Sequence, residues 1–400
     1  MNVPKMRFRD FNNEYISKKL SDISELTSSK RIYLSDYVND GIPFYRGKEI
    51  TELKANKDVS DLLYITKEKY NEIKTKYGVP EKNDILITGV GTLGNIYRVT
   101  NENPFYFKDG NLIWLKNIKE NSKYIEYNLE KNKRKILDSA IGSTQKALTI
   151  VGLSKLEFSF PSLNEQTKVS NFLSLLDKKI ELQSKKIEDL KLFKKGLSNE
   201  LFKYRDNNYS KIKDLDITIS DGNYGEQYPK QDELKDYGDV PFLRVNNLKR
   251  LKITDENMKY ISKEKHSTLL SGHLKENDIL ITTRGEIGLL AIVDKNHEDS
   301  NINAQIALLR INDYGKILPN YLLQYLDYNY YYIQTLQTGS ALKQLPIKNL
   351  LSMNVYIPSI EKQKNIAIIL TTLDNKIEKE YRKLDILQEL KKGLMQNMFV

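Results

Sequence analysis

The sequence predicts an α+β chain: two tandem α/β domains, joined by two long helices that form an antiparallel coiled coil with pseudo-twofold symmetry. Three observations carry this. First, a segment is written twice. Gly142–Phe202 reads GSTQKALTIVGLSKLEFSFPSLNEQ…LLDKKI…KKGLSNELF, and Gly339–Phe399 reads GSALKQLPIKNLLSMNVYIPSIEKQ…TLDNKI…KKGLMQNMF. The offset is 197 residues at both ends (339 − 142 and 399 − 202). A long period with only two copies is not a solenoid, which needs several short units. Second, each copy has a front part of short apolar runs bounded by turn signals. Third, each copy ends in a sustained heptad pattern. The expected division is a first domain over 1–160, a helical segment over 161–205, a second domain over 206–357 and a second helical segment over 358–400.

In the first front part, Ile42-Pro43-Phe44-Tyr45-Arg46 follows a polar turn region. Asn83-Asp84-Ile85-Leu86-Ile87-Thr88 is a short apolar run after a turn signal, which predicts a buried strand. Their counterparts are Val240-Pro241-Phe242-Leu243-Arg244 and Asn277-Asp278-Ile279-Leu280-Ile281-Thr282. The offsets there, 198 and 194, differ from 197, so loops vary in length on a fixed frame. Gly89-Val90-Gly91-Thr92-Leu93-Gly94 matches a dinucleotide-binding fingerprint in letters. The Asn95-Ile96-Tyr97-Arg98-Val99 that follows is β-branched and aromatic, unlike a phosphate-binding helix. The second copy, Thr283-Arg284-Gly285-Glu286-Ile287-Gly288, lacks the first glycine. A strand–turn–strand with a tight glycine turn is the better reading.

The long helices are predicted to start after Pro161 and Pro358, near Asn164 and Glu361. Val169, Leu173, Leu176, Ile180, Ile187, Leu190 and Leu197 recur at spacings of 4, 3, 4, 7, 3 and 7. Ile366, Leu370, Leu373, Ile377, Leu384, Leu387 and Leu394 repeat that series. Such a seam predicts helices that pack on each other. Gln183 and Glu380 interrupt it at matching places. Lys194-Lys195-Gly196-Leu197 and Lys391-Lys392-Gly393-Leu394 sit late in each helix. The lysines suit a helix C-terminus, and the glycines suit a bend or close packing.

Composition narrows the function classes. The chain has 40% hydrophobic and 29% charged residues, ordinary for a soluble protein. It has no cysteine, which excludes disulfides and thiolate metal sites. Its three histidines, His266, His273 and His297, have no metal-ligand spacing, so no metal site is expected. The opening MNVPKMRFRDF lacks the apolar core of a signal peptide, and no apolar run approaches a membrane span; the expectation is a cytoplasmic chain without membrane contact. The net charge of +10 favours a polyanionic partner. Asn103-Pro104-Phe105-Tyr106 approaches an amino-methyltransferase motif but lacks its second proline. There is no P-loop, and no nucleophile–base–orienter set is visible. The chain reads as a binding scaffold.

These residues together resemble a known family. The opening Val3-Pro4-Lys5-Met6-Arg7-Phe8, the NDILIT–glycine turn in each half, the Gly-Ser-x-x-x-x-Leu segment, and the Pro-x-x-x-x-Gln start of a helix ending Lys-Lys-Gly-Leu are similar to type I restriction-modification specificity subunits. The resemblance covers essentially the whole chain. It implies two target-recognition domains, each reading one half of a bipartite, asymmetric double-stranded DNA target, with the two helical segments as spacers. It implies partner modification subunits that carry S-adenosylmethionine and methylate adenine N6. It also implies restriction subunits that use ATP and Mg²⁺, with no cofactor, metal or catalytic residue on this chain.

DNA recognition needs cations for phosphates and polar tips for base edges. Arg46 and Arg244 follow the same Pro-Phe-x element; a DNA contact and a structural ion pair are both open for them. Thr88 and Thr92 in one copy, and Thr283 and Arg284 in the other, flank the glycine turn. Arg284 is the strongest candidate, since guanidinium bridges guanine O6 and N7. Gln145, Lys146, Lys343 and Gln344 follow the Gly-Ser turns. Tyr224 and Lys230 lie in Asp221–Lys230, a glycine-aromatic loop suited either to a groove or to plain surface. Lys48 against Asn246 marks a position where the copies differ, so two different half-sites are expected. Two other classes are open. A self-contained DNA methyltransferase or nuclease lacks its motifs here. A non-DNA coiled-coil adaptor leaves the duplicated domains unexplained.

Overall fold

The computed structural model describes residues 3–400 except 56, 58, 60, 204–207, 226, 227 and 341. The expected boundary at 205/206 lies outside the described residues. The chain forms two compact units: 1–182 with 385–400, and 183–384. Each unit therefore holds one domain together with stretches of both long helices.

The first unit has two four-stranded sheets. One runs Glu25–Thr27, Leu112–Lys116, Ile85–Thr88 and Ile96–Arg98, with every pair antiparallel. The other runs Tyr37–Val38, Leu63–Ile65, Ile42–Tyr45 and Tyr106–Phe107, and only its last pair is parallel. The second unit repeats this plan. Ile217–Asp221, Ile306–Ile311, Ile279–Thr282 and Leu290–Ile292 form the antiparallel sheet. Lys259–Ile261, Val240–Leu243 and Asn301–Ile302 form the other, again ending in a parallel pair. Both ILIT runs are buried at every position, as continuous apolar runs flanked on both sides demand. Phe105 and Tyr106 of the Asn-Pro-Phe-Tyr segment are core residues, which accounts for them without methyl transfer.

Each NDILIT aspartate is a structural anchor. Asp278 is 2% exposed, accepts two hydrogen bonds from the Arg310 guanidinium at 2.8 and 2.6 Å, and caps the Lys275 N–H at 2.9 Å. Asp84 caps Glu81 in the same way at 2.9 Å, but its other partner is the Trp114 indole N–H at 2.8 Å.

Two 39-residue helices, Leu163–Leu201 and Ile360–Met398, carry the seams. In the first unit the start of one helix (Val169, Leu173, Leu176) shares a core with the end of the other (Leu394, Met398) and with Tyr124 and Phe160 of the domain. In the second unit Phe202, just past the first helix, packs with Ile366, Ala367 and Leu370 at the start of the second. Both contacts are antiparallel, as expected. The repeated glutamine explains the Pro-x-x-x-x-Gln spacing. Gln166 and Gln363 are fully buried and donate back to the Pro161 and Pro358 carbonyls, each at 2.9 Å. Their amide oxygens accept the Asn121 and Leu318 N–H groups, pinning each helix start to its own domain.

The first lysine of each KKGL segment bridges to the opposite helix, and Lys194 also to the domain. Lys194 pairs with Asp374 at 2.7 Å and Asp327 at 2.8 Å, and Lys391 pairs with Asp177 at 2.5 Å. Lys194 and Lys391, and Asp177 and Asp374, are equivalent positions of the two copies. The glycines are not close-packed, contrary to one of the expectations: a Cβ on Gly196 or Gly393 meets nothing within 4 Å. Gly196→Ala and Gly393→Ala are therefore each expected to stabilise the isolated chain, by roughly 0.5–1 kcal/mol, the usual difference between these residues inside a helix. Urea unfolding of each variant checks this. A loss of stability would mean that the glycine relieves a strain.

The two seam-breaking residues meet each other. The Gln183 amide donates to the Glu380 carboxylate at 2.7 Å and to its carbonyl at 2.9 Å. Lys383 and Lys186 approach the same carboxylate at 3.0 and 3.1 Å. The Gln183 hydrogen bond, followed by the lysines, lowers the Glu380 pKa from 4.5 to about 2. A carboxyl depressed on folding contributes stability that is present above the unfolded pKa and lost as pH falls towards the folded one. Glu380→Gln is thus expected to be less stable than the parent at neutral pH, with the gap closing between pH 4.5 and about 2. Thermal unfolding of both proteins across that range tests it; a constant gap would show that the charge plays no part.

Candidate nucleic-acid interface

The candidate interface is built from three backbone segments, and both units build it alike. The first is the glycine tip after the ILIT strand. Thr282 is buried; its hydroxyl bonds to the Glu286 carbonyl and accepts the Leu289 N–H at 2.9 Å. Thr88 does the same with Thr92 and with the Asn95 N–H at 2.8 Å. Gly91, Gly94, Gly285 and Gly288 all have φ between 70° and 84°, the left-handed region that glycine favours. The chain leaves each tip as a strand, Ile96–Arg98 or Leu290–Ile292, so the literal dinucleotide motif is a hairpin turn.

The second segment precedes the next core strand, and the third is the Gly-Ser turn. Gly89 donates its N–H to the Asn111 carbonyl at 2.7 Å and accepts from the Leu148 N–H at 2.9 Å. Thr283 repeats this with the Gln305 carbonyl at 2.7 Å and the Leu345 N–H at 2.9 Å. The Gly-Ser turns close through Ile141–Ala147 and Thr338–Gln344 pairings. Glycine is required there: a Cβ on Gly142 or Gly339 would lie 2.4 Å from a backbone oxygen.

This frame sorts the expected side chains. Thr88 and Thr283, expected at the tip, are both buried and spend their hydroxyls within the frame. Arg46 makes the ion pair that is one of its two readings. Its guanidinium grips the fully buried Glu49 at 2.6–3.2 Å, and Glu49 also caps the Arg46 N–H at 2.7 Å. Lys48 is half-exposed, with Glu52 and Asp61 at 3.8 and 3.7 Å. Thr92, Gln145 and Lys146 are exposed on the tip and Gly-Ser turn of the first unit.

In the second unit the candidates converge. Arg284 is exposed and pairs along the backbone with Gln344; Lys343 is exposed beside it. The Arg284 guanidinium lies 5.2 Å from the centre of the Tyr224 ring. The Tyr224 hydroxyl lies 2.9 Å from both Asp221 Oδ2 and the Ala304 carbonyl and shares its one proton between these two acceptors, so the ring is held in place. Burial and then the neighbouring Asp221 push the Tyr224 pKa up. Among the described residues no carboxylate pairs with Arg284 or Lys343. Next to the tip is a cavity of about 630 Å³ lined by Tyr228, Arg244, Asn246, Glu286, Asn303 and Gln305. Arg244 donates to the Asn257 carbonyl at 2.8 Å, while its Nε is buried without a partner. Arginine, asparagine and glutamine are the side chains that bridge guanine and adenine edges. Lys230 is exposed and bonded through its backbone to Glu233 at 2.7 Å; nothing ties its side chain to the cavity. Glu226 and Gln227 of this loop lie outside the described residues.

Sequence reasoning missed Asn303 and Gln305. Their signal is the polar stretch Asn301-Ile302-Asn303-Ala304-Gln305 abutting the apolar run Ile306–Leu309 of a core strand. No helix is long and apolar enough to cross a membrane among the described residues.

Comparison with known proteins agrees with this double construction. A family model described as the type I restriction modification DNA specificity domain matches twice, over residues 12–192 and 205–389. A chain of Methanocaldococcus jannaschii, named as the MjaX type I restriction enzyme specificity subunit, is 24% identical over 98% of this chain and 95% of its own length. A Haemophilus influenzae chain, named as a type I restriction enzyme specificity subunit, is 33% identical over 163 residues, 40% of this chain. The match spans only 39% of that relative's length. The crystal structure of a Mycoplasma genitalium type I system S subunit shares the fold, with a TM-score of 0.63 at 18% identity, over 100% of this chain and 99% of that one. With two matches that together span most of its length, the chain belongs to the type I restriction-modification DNA specificity family.

Proposed function

We propose that this chain is the DNA-reading subunit of a type I restriction-modification complex. Each domain reads one half of a bipartite, asymmetric target, and the helices dock the modification and restriction subunits. The observation that carries the reading is one loop frame built twice with different side chains at its edge. At the tips Arg284 and Glu286 stand in the second copy where Val90 and Thr92 stand in the first; at the Gly-Ser turns Leu342 and Gln344 stand where Gln145 and Ala147 stand, on either side of a lysine common to both, Lys146 and Lys343. Phosphate contacts by such cations position a duplex, and polar side chains at base edges specify it. Methyl transfer and cleavage belong to the partners in this reading, with S-adenosylmethionine, ATP and Mg²⁺ bound there, and the complex works in the cytoplasm.

The test is a genome-wide map of methylated adenine with and without this gene. The expected result is a motif of two unlike half-sites, separated by an unspecified spacer, that disappears on deletion. A map unchanged by deletion would overturn the proposal. The purified chain with S-adenosylmethionine and duplex DNA is expected to transfer no methyl groups; robust transfer would favour the self-contained methyltransferase instead.

A further inference from the structure

We propose that His266, His273 and Asp299 form a binding site for one divalent transition-metal ion of the zinc class. Their spacing in the sequence carries no ligand motif, but the fold collects them. His266 Nε2 lies 3.1 Å from His273 Nδ1 and 3.4 Å from Asp299 Oδ1, and all three ligand atoms fall within 4.8 Å of one another. Two atoms bound to a tetrahedral ion at about 2.0–2.1 Å sit about 3.3–3.4 Å apart. Both His266 distances are therefore close to a ligand spacing, and the remaining pair, His273 with Asp299, lies within 4.8 Å, a gap that rotation of the exposed Asp299 side chain can close.

The surroundings fix them there. His273 Nε2 donates to the Leu269 carbonyl at 2.8 Å, so the proton sits on Nε2 and the Nδ1 lone pair faces His266. A ligand histidine is usually oriented by such a bond through its other nitrogen. Leu274 and Asp299–Ser300 exchange backbone hydrogen bonds at 3.0 Å, and His273 pairs with Asn301, which holds the two ligand-bearing segments together. Asp299 adopts φ 61°, unusual for a residue other than glycine. In the metal-free chain a proton on His266 Nε2 fills the gap, and His266 Nδ1 is buried with no partner. An ion takes the place of that proton while Nδ1 gains one, so the ring remains neutral. Two imidazoles and one carboxylate suit zinc, cobalt or nickel better than magnesium or calcium, which prefer all-oxygen sites. The fourth position is left to water.

The ion would brace the reading edge of the second unit. Leu270 and Ser271, between the two histidines, donate their N–H groups to Asn223 Oδ1 at 2.9 and 3.2 Å. Asn223 Nδ2 donates back to the Ser271 carbonyl at 2.7 Å, and the next residue is Tyr224. The metal site does not depend on what that edge reads.

The test uses the full chain without an affinity tag, titrated with Zn²⁺ alone and with Co²⁺ alone. Calorimetry is expected to give one ion per chain, Co²⁺ to develop visible absorption of a nitrogen-coordinated ion, and zinc to raise the thermal midpoint. His273→Ala should weaken binding about tenfold or more and abolish the thermal shift. Asp299→Asn, at a side chain that is 85% exposed and with a residue type that tolerates the left-handed backbone there, should also weaken binding. No saturable binding up to about 100 µM ion, a threshold near the weak end of specific affinities, would overturn the proposal. Undiminished binding in the folded Asp299→Asn and His273→Ala variants would overturn it as well, because the ion would then sit elsewhere.

Discussion

Arg284→Ala is expected to weaken binding to the cognate duplex by about 1–3 kcal/mol, roughly 5- to 150-fold. The side chain is exposed, stacks against a tyrosine held by two hydrogen bonds, and has no carboxylate partner among the described residues. Its removal therefore costs little folding energy, and the loss falls on the complex. Fluorescence anisotropy on the complex with its modification subunits, at several salt concentrations, reads the affinity. Methylome sequencing reads the motif. A relaxed preference at one position of one half-site identifies a base contact. A preserved motif with the salt slope reduced by about 1 identifies a phosphate contact. Unchanged affinity and motif would remove Arg284 from the interface.

The frame of this fold was legible because its signals are local and periodic. Three apolar residues and a threonine after Asn-Asp fix each buried ILIT strand. A heptad series that repeats at one offset fixes the two helices. Reciprocal pairing was also within reach: Lys194 and Lys391, like Asp177 and Asp374, are 197 residues apart, so an antiparallel pairing of equivalent helices joins each lysine to the other copy's aspartate.

The candidate interface was legible only in outline. Arg46 and Arg244 hold the same place after Pro-Phe-x, yet they differ in fate through the residue three positions on. Glu49 captures Arg46 with charge, whereas Asn247 caps only the Arg244 backbone at 3.0 Å and leaves the guanidinium facing the cavity. That difference is written in the sequence as Arg-x-x-Glu against Arg-x-x-Asn. The burial of Thr88 and Thr283 is not, because it depends on which loop crosses the tip. Nor is the meeting of His266, His273 and Asp299, which come from two segments joined only by backbone pairing.

The largest stability effect is expected at Asp278. Asp278→Ala would leave the Arg310 guanidinium partly buried without its counter-charge, a loss that typically costs about 3–5 kcal/mol. Arg310 would keep one bond, to the His273 carbonyl at 2.8 Å, which does not replace a bidentate carboxylate. At the equivalent position Asp84→Ala is expected to cost about 1–3 kcal/mol, since it orphans the neutral indole N–H of Trp114 and the Glu81 backbone N–H. Burial pushes the Asp84 pKa up, so the charge at that site is itself unfavourable. The asparagine variants separate the two cases further. Asp84→Asn keeps an acceptor oxygen for Trp114 and is expected to be nearly neutral, whereas Asp278→Asn removes the charge that Arg310 requires. Denaturant unfolding of the four variants measures the order. Equal losses at the two positions would show that the repeated aspartate serves only as a turn cap, and that the Arg310 pair contributes nothing beyond it.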